Sequence, residues 1–291
     1  FVVAQSVVGK VDAPLHARAA EAYVIHVEQQ VRLVAVADVN PDFATDTARR
    51  FGFERAETSW EAVAAADDVD VVSVVVANPL HRPIVEGLLA AGKHVLCEKP
   101  MAPTVEDAEA MVAAAKASGR EAGIGFVFRR SPAIAAIRDQ VASGAIGRPL
   151  HFNGHYWCDY GVDPRAPMSW RYKGGPGSGA LSDIGSHLID LAEFVCGPIQ
   201  SVRGAVLPTV IGERALPLGA AVGHAAAAVS DVTEPVENED LVNVPNWLPL
   251  RFRVADGTGF DIAQAEDHRR IRLAHRPQRL PERTQQVQRQ Q

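Results

Sequence analysis

The chain has 291 residues, 47% of them apolar, 22% charged and 6% aromatic, with 29 basic against 35 acidic side chains for a net charge of −6. That is an ordinary globular composition, long enough for about two domains of ~150 residues, and it excludes a disordered polymer. Three widely spaced cysteines, Cys97, Cys158 and Cys196, exclude a disulfide scaffold and fit a reducing cytoplasmic compartment, while the longest strongly apolar run, residues 71–77, is far short of the ~20 residues of a membrane span.

From residue 31 onward, compact β-branched runs alternate with amphipathic stretches, the pattern of a parallel sheet with crossover helices. Val31–Ala37 predicts a strand, and Pro41–Phe51 a helix whose proline occupies the first turn, where its missing N–H costs nothing. A strand is expected over 69–76, a helix over 83–91, a strand at His94–Cys97, a helix over 104–118 with Thr104 as its cap, and a strand over 122–126. Four or more β-α units in succession define a doubly wound domain over residues 1–127.

The rhythm then changes. Residues 150–157 read as a long strand, 174–179 as a glycine-rich approach to a helix over 180–195, and 199–210 and Leu250–Val254 as further strands, while 215–230 show little pattern. This predicts an α+β domain over 128–262 built on an antiparallel sheet, and α/β as the class of the whole. Residues 263–291 form a basic stretch: from His268 onward seven arginines face one acid, Glu282, with six glutamines and no aromatic ring. Without apolar periodicity or rings to stack bases, it reads as a disordered tail and not as a nucleic-acid arm.

In a doubly wound sheet a ligand sits at the carboxyl ends of the strands. Asp38 follows the first of these strands; a carboxylate there accepts hydrogen bonds from ribose hydroxyls and repels a 2′-phosphate, and its alternative role is a helix cap. Asn78-Pro79-Leu80-His81 follows the strand over 69–76. Pro79 keeps Asn78 out of helical geometry, leaving an amide and an imidazole at the strand end, either for a ligand or as a capped turn with an exposed His81. Glu98-Lys99-Pro100 follows His94–Cys97. With only five lysines against 24 arginines, a lysine here marks a place for a group that can exchange a proton; an ion pair with Glu98 is the structural alternative.

On the 180–195 helix, Leu181, Ile184, Leu188, Leu191 and Val195 form an apolar face, and i, i+4 spacing places Asp183 and His187 one turn apart on the adjacent stripe. Histidine can take a proton from a hydroxyl near neutral pH, with a carboxylate to orient it. No third residue stands at metal-ligand spacing, so no metal is expected. The run Gly174 to Gly179 lacks the Lys-Ser/Thr of a phosphate loop. Arg129, Tyr160, Trp170 and Arg171 offer guanidinium, hydroxyl and indole groups suited to a sugar or polyol, or to structural roles.

Asn78-Pro79-Leu80-His81, Glu98-Lys99-Pro100, Ala145-Ile146-Gly147-Arg148-Pro149, Ser169-Trp170-Arg171 and Gly179-Ala180-Leu181 leading into Asp183 and His187 together resemble the glucose-fructose oxidoreductase and inositol dehydrogenase family of NAD(P)-dependent oxidoreductases. The likeness runs over about 31–202 and again at 236–240, and Asp159-Tyr160 with 163–171 look nearest to its levoglucosan dehydrogenase-like branch. The resemblance implies a Rossmann domain followed by an open-faced, mostly antiparallel sheet through which chains form a homo-oligomer; here that sheet reads as incomplete at its C-terminal side. It implies NAD as cofactor, with NADP as the second option, bound by Gly9, Asp38, Asn78, His81, Glu98 and Lys99.

By the same likeness, a cyclic sugar or polyol would be held by Arg129, Tyr160, Trp170, Arg171 and His187, and Lys99, Asp183 and His187 would be the catalytic group. His187 would remove the hydroxyl proton, Lys99 would position the oxygen, and Asp183 would orient the base and relay the proton. Neither nucleic acid nor a membrane is an expected partner. The family's GxGxxG turn is degenerate here, with Gln5, Ser6, Val7 and Val8 before Gly9. The alternative expectation is therefore a catalytically silent member acting as a binding or regulatory module.

Overall fold

The computed structural model describes residues 2–7, 31–156, 163–202, 211–218, 229–236, 250–254 and 259–262. Six strands, β1 (Val2–Val7), β2 (Val31–Ala37), β3 (Arg55–Glu57), β4 (Val71–Val74), β5 (His94–Cys97) and β6 (Ala122–Ile124), form one sheet in the order β3-β2-β1-β4-β5-β6. Helices α1 (Pro41–Phe51), α2 (Trp60–Ala64), α3 (His81–Ala90) and α4 (Val105–Ser118) connect the strands. Val34, Ala35, Val36 and Ala37 of β2 are all buried, so both faces of the strand are covered, which is why it reads as a continuous apolar run. The core continues through Val63, Val72, Val74, Leu88 and Leu89.

Local chemistry fixes the helix ends. The Asn40 side chain accepts from the N–H groups of Asp42 and Phe43, Pro41 opens α1, and Gly52 closes it in the left-handed region at φ 79°, a conformation that costs glycine nothing. Thr104 accepts from the Asp107 N–H at 3.1 Å, as its position predicts. The helix expected over 83–91 starts two residues earlier, at His81.

The expectation of a wholly parallel sheet is corrected at one strand. β2–β3, β4–β5 and β5–β6 are parallel, but β1 runs antiparallel to both neighbours, with Val2 opposite Ala37 and Val74, and Val7 opposite Val31. An apolar run fills a central ladder in either direction. What sets the direction is the connection, and here the connection, residues 8–30, lies outside the described residues.

The second half contains α5 (Pro132–Ala142), β7 (His151–Phe152), a single 3₁₀ turn at Trp170–Tyr172, a π-helical turn at Leu181–Gly185 that runs into α6 (Ser186–Cys196), and the strands β8 (Ile199–Val202), β9 (Glu213–Pro217), β10 (Val229–Pro235), β11 (Leu250–Val254) and β12 (Gly259–Ile262). β7-β12-β11-β8 form a mixed, mostly antiparallel sheet, and β9 and β10 pair separately.

Two sequence readings are corrected here. The long strand over 150–157 shrinks to two residues, because the chain leaves the sheet after Phe152: Gly154 passes so close to the Phe152 ring and Leu188 that a Cβ would stand 3.0 and 3.2 Å from them. The patternless stretch around 215–230 contains the ends of a hairpin. Most of β10 is exposed, so its pairing is a backbone matter and leaves no alternation in the sequence. The remainder of the strand expected over 199–210, and the tail at 263–291, lie outside the described residues. Among the described residues, no helix is long and apolar enough to cross a membrane.

Candidate active site

The segments that follow β4 and β5 meet the loop before the π-helical turn and the turn itself, through Asn78 to Gly177 and Lys99 to Asp183. Lys99 follows β5 directly, and its ammonium does not pair with Glu98. It crosses to the second half of the chain, where Nζ donates to the Asp183 backbone oxygen at 2.5 Å and to Asp183 Oδ1 at 3.1 Å. The other carboxylate oxygen, Oδ2, accepts from Arg171 Nε at 2.9 Å, and the Arg171 guanidinium lies 4.5 Å from the centre of the Trp170 ring. Burial would push the Asp183 carboxyl up; the Lys99 and Arg171 charges outweigh it, and the group is held below the ordinary carboxylate range.

His187 is buried among three rings. Phe126 and Phe128 approach it edge-on, with centroids at 6.0 and 4.9 Å, and Tyr156 stacks on it at 5.7 Å and 19°. Its Nδ1 has no hydrogen-bond partner. Burial first, and the Lys99 ammonium second, push this imidazole down to about 4, so the ring is neutral at pH 7 and able to accept a proton. The regular i, i+4 stacking of Asp183 over His187 is modified by the π-helical turn: the wider i→i+5 turn at 181–185 turns the Asp183 carboxylate toward Lys99 and Arg171. π-helical insertions of this kind recur at functional sites.

Several residues expected to contact ligands also hold backbone or other side chains. Asn78, buried, donates through its amide to the Gly177 carbonyl at 2.5 Å. His81 is fully buried, not exposed: Nδ1 lies 3.0 Å from the Pro100 oxygen and 3.3 Å from that of Met101, and Nε2 lies 3.1 Å from the Val76 oxygen. Both ring nitrogens are thus turned to carbonyls that end β4 and follow β5. Glu98 accepts from the Lys99 N–H at 3.0 Å and packs against Gly125, where a Cβ would meet its Oε1 at 3.1 Å.

Asp38 stands at the end of β2, where Oδ1 accepts from the Asn40 N–H at 2.8 Å, so it braces the start of α1 as well as lining the strand end. Arg129 pairs with the buried carboxylate of Asp190, donating from Nε at 2.9 Å to both oxygens and also from Nη2, and its guanidinium lies over the Phe194 ring. Trp170 lies under the Arg171 guanidinium. Gly9 and Tyr160 lie outside the described residues. Among those described, no group of three or more His, Cys, Asp or Glu could hold a metal ion.

Sequence reasoning missed Phe126, Phe128, Tyr156 and Asp190. Two of these left a signal. Phe126 and Phe128, two residues apart at a strand end, could share one side, and Asp190 is one helical turn beyond His187.

Residues 8–126 match the oxidoreductase family with the NAD-binding Rossmann fold, and residues 134–244 match the GFO/IDH/MocA C-terminal domain. Together these matches cover well over half of the chain, which belongs to this family of NAD-binding oxidoreductases. Levoglucosan dehydrogenase of Pseudarthrobacter phenanthrenivorans is 43% identical over 187 residues, 64% of this chain and 48% of that protein. The 1,5-anhydro-D-fructose reductase of Ensifer adhaerens is 39% identical over 148 residues, 50% of this chain and 43% of its own length. A solved structure of levoglucosan dehydrogenase in complex with NADH and levoglucosan superposes with a TM-score of 0.65 at 36% identity, covering 81% of this chain and 59% of that one. The chain thus spans about half the length of the curated relatives it matches.

Proposed function

We propose that this protein is an NAD-dependent dehydrogenase that moves a hydride between nicotinamide and a secondary alcohol of a cyclic sugar or polyol, with anhydro sugars such as levoglucosan the first to test. The observation that carries the reading is the meeting of Lys99, at the carboxyl end of β5, with Asp183 and His187, which lie 84 and 88 residues further along the sequence. The donor set fits a dinucleotide: a carboxylate at the end of β2 suits ribose hydroxyls, and a cation beside a neutral imidazole suits an alcohol giving up its proton. Bound NAD supplies the hydride acceptor.

The protein's own residues do the rest. His187 accepts the hydroxyl proton. The Lys99 ammonium positions the oxygen and offsets the negative charge that develops on it. Asp183 holds that ammonium in place. Asn78, His81 and Glu98 line the cofactor side of the site, where His81 and Glu98 also hold the backbone around Lys99 and Asn78 holds that of Gly177. In this reading residues 1–127 bind the cofactor, residues 128–262 supply the sugar side and the surface for self-association, and the protein works in the cytoplasm.

The test is a panel of anhydro sugars, aldoses and inositols assayed for NAD and NADP reduction at 340 nm, followed by Lys99→Met and His187→Gln. Each variant should lose about 10²-fold or more in kcat while NADH binding, followed by fluorescence, changes less than about 3-fold. Unchanged turnover in both variants would overturn the assignment. No NADH binding by the unaltered chain at millimolar cofactor would support the catalytically silent reading.

A further inference from the structure

Arg171 carries a guanidinium that could serve a sugar, yet its Nε is committed to Asp183 Oδ2 at 2.9 Å, and only 16% of its side chain is exposed. Lys99 holds Oδ1 and the backbone oxygen of the same residue. Each oxygen of this buried carboxylate therefore receives one cation. The 3₁₀ turn at Trp170–Tyr172 fixes the approach: the Trp170 ring lies under the Arg171 guanidinium, and the Tyr172 ring, buried, stacks with the Arg214 guanidinium at 4.2 Å. Arg214 is itself 1% exposed and donates from Nη1 to the Asp163 and Ala166 carbonyls, at 3.0 and 3.3 Å, so the turn that presents Arg171 is braced from behind.

We propose that Arg171 is a positioning residue acting through Asp183, not a sugar ligand: it pins Asp183 as a permanent anion, and Asp183 in turn aims the Lys99 ammonium at the reacting oxygen. This deepens the dehydrogenase reading and rests on it for its catalytic consequence. It also changes the role of Asp183. A carboxylate with a cation on each oxygen keeps its charge and does not relay the proton that His187 takes; that proton stays on the imidazole until it leaves with solvent or returns in the reverse reaction. The Lys99 ammonium, held by Asp183, is the positive charge nearest to where an alkoxide develops, while Glu98 beside it is turned to the Lys99 backbone N–H. Asp190, the next acid along α6, is neutralised by Arg129.

If one of the two cations is removed, Asp183 remains buried with less compensation, and its carboxyl must rise toward protonation at higher pH. Arg171→Gln in the full chain should therefore lower kcat 10- to 100-fold with the sugar KM changed less than about 3-fold, and the acid limb of kcat/KM, set by His187 in the unaltered chain, should move to higher pH as Asp183 takes up a proton. Arg171→Lys, which restores a cation without the planar fork, should recover most of the rate. In combination with Asp183→Asn, the Arg171→Gln change should add almost nothing further.

A sugar KM raised tenfold or more with kcat retained, or losses that multiply in the double variant, would make Arg171 a sugar ligand and overturn the inference. A readout independent of activity keeps this separate from the dehydrogenase reading. In protein labelled with ¹³C at aspartate carboxyls, the Asp183 signal should titrate at clearly higher pH in Arg171→Gln than in the unaltered chain. Coincident titrations overturn the inference even if the enzyme is active. A shifted titration in a chain that reduces no cofactor upholds the ion-pair arrangement while the dehydrogenase reading fails.

Discussion

Burial, and secondarily the Lys99 ammonium, push the His187 imidazole down to about 4, against about 6.5 for an unhindered histidine. Between those two values the unfolded chain binds a proton that the folded chain refuses, so acidification through this window favours unfolding, and the loss is complete once the pH is below both. A single histidine of this kind accounts for roughly 3 kcal/mol at most. Urea unfolding at pH 7 and pH 4.5, on the unaltered chain and on His187→Leu, separates it from the carboxylates that titrate in both. The unaltered chain should lose about 2 kcal/mol more than the variant over that interval, and equal losses would mean that the ring is not buried as described. At this scale the sequence shows residue types but not partners. Lys99 stands out because lysine is scarce and this one ends a strand. Nothing local says that its ammonium reaches Asp183 instead of Glu98, that Arg171 faces the same carboxylate, or that Phe126, Phe128 and Tyr156 converge on His187, because these contacts are made by the fold and not by spacing.

The glycine-rich loop over 174–179 is an element whose meaning is steric. Gly177 has φ +80°, its carbonyl accepts from Asn78, and a Cβ there would stand 3.0 Å from Pro103 Cβ and 3.1 Å from Pro103 Cα. Gly175 has nearly the same φ, +81°, but nothing within 4 Å of its Cβ position. Alanine at either position incurs the left-handed strain of roughly 1–2 kcal/mol; only Gly177→Ala must also displace the turn that follows Lys99. Chemical unfolding should therefore find Gly177→Ala less stable than Gly175→Ala by about 1–3 kcal/mol, and Asn78→Ala should lose a similar amount through the orphaned Gly177 carbonyl. Equal costs for the two glycine variants would mean that the loop is not seated on Pro103. Elements with chemical punctuation were legible in the sequence: α1 runs between Pro41 and Gly52, and β2 and β5 fill their apolar runs, at the expected bounds. The π-helical turn was not legible, since the apolar spacing of Leu181, Ile184 and Leu188 fits a regular helix equally well.

At the scale of the molecule, the direction of β1 decides which groups share the crevice. Side-chain alternation is the same for a strand and its reverse, so apolar patterning does not distinguish the antiparallel run of β1 within the order β3-β2-β1-β4-β5-β6 from a parallel one. Its consequence is positional: Val2 lies beside Ala37 and Val74, next to Asp38 and the β4 end, whereas Val7 lies beside Val31 at the opposite edge of the sheet. A parallel β1 would exchange the two ends and bring the residues after Val7 to Asp38. Paired cysteines distinguish the cases, because directly opposed residues of an antiparallel pair lie within disulfide reach. Cys97 does not interfere, being 1% exposed with its thiol pushed up to about 12 by burial. With Cys158 and Cys196 replaced by serine, mild oxidation should join Val2→Cys to Ala37→Cys and leave Val2→Cys with Val31→Cys unlinked, as read by the mobility of the unreduced chain. The opposite result would turn β1 around and return the Gly9 end of the chain to the carboxyl edge, beside Asp38 and Lys99.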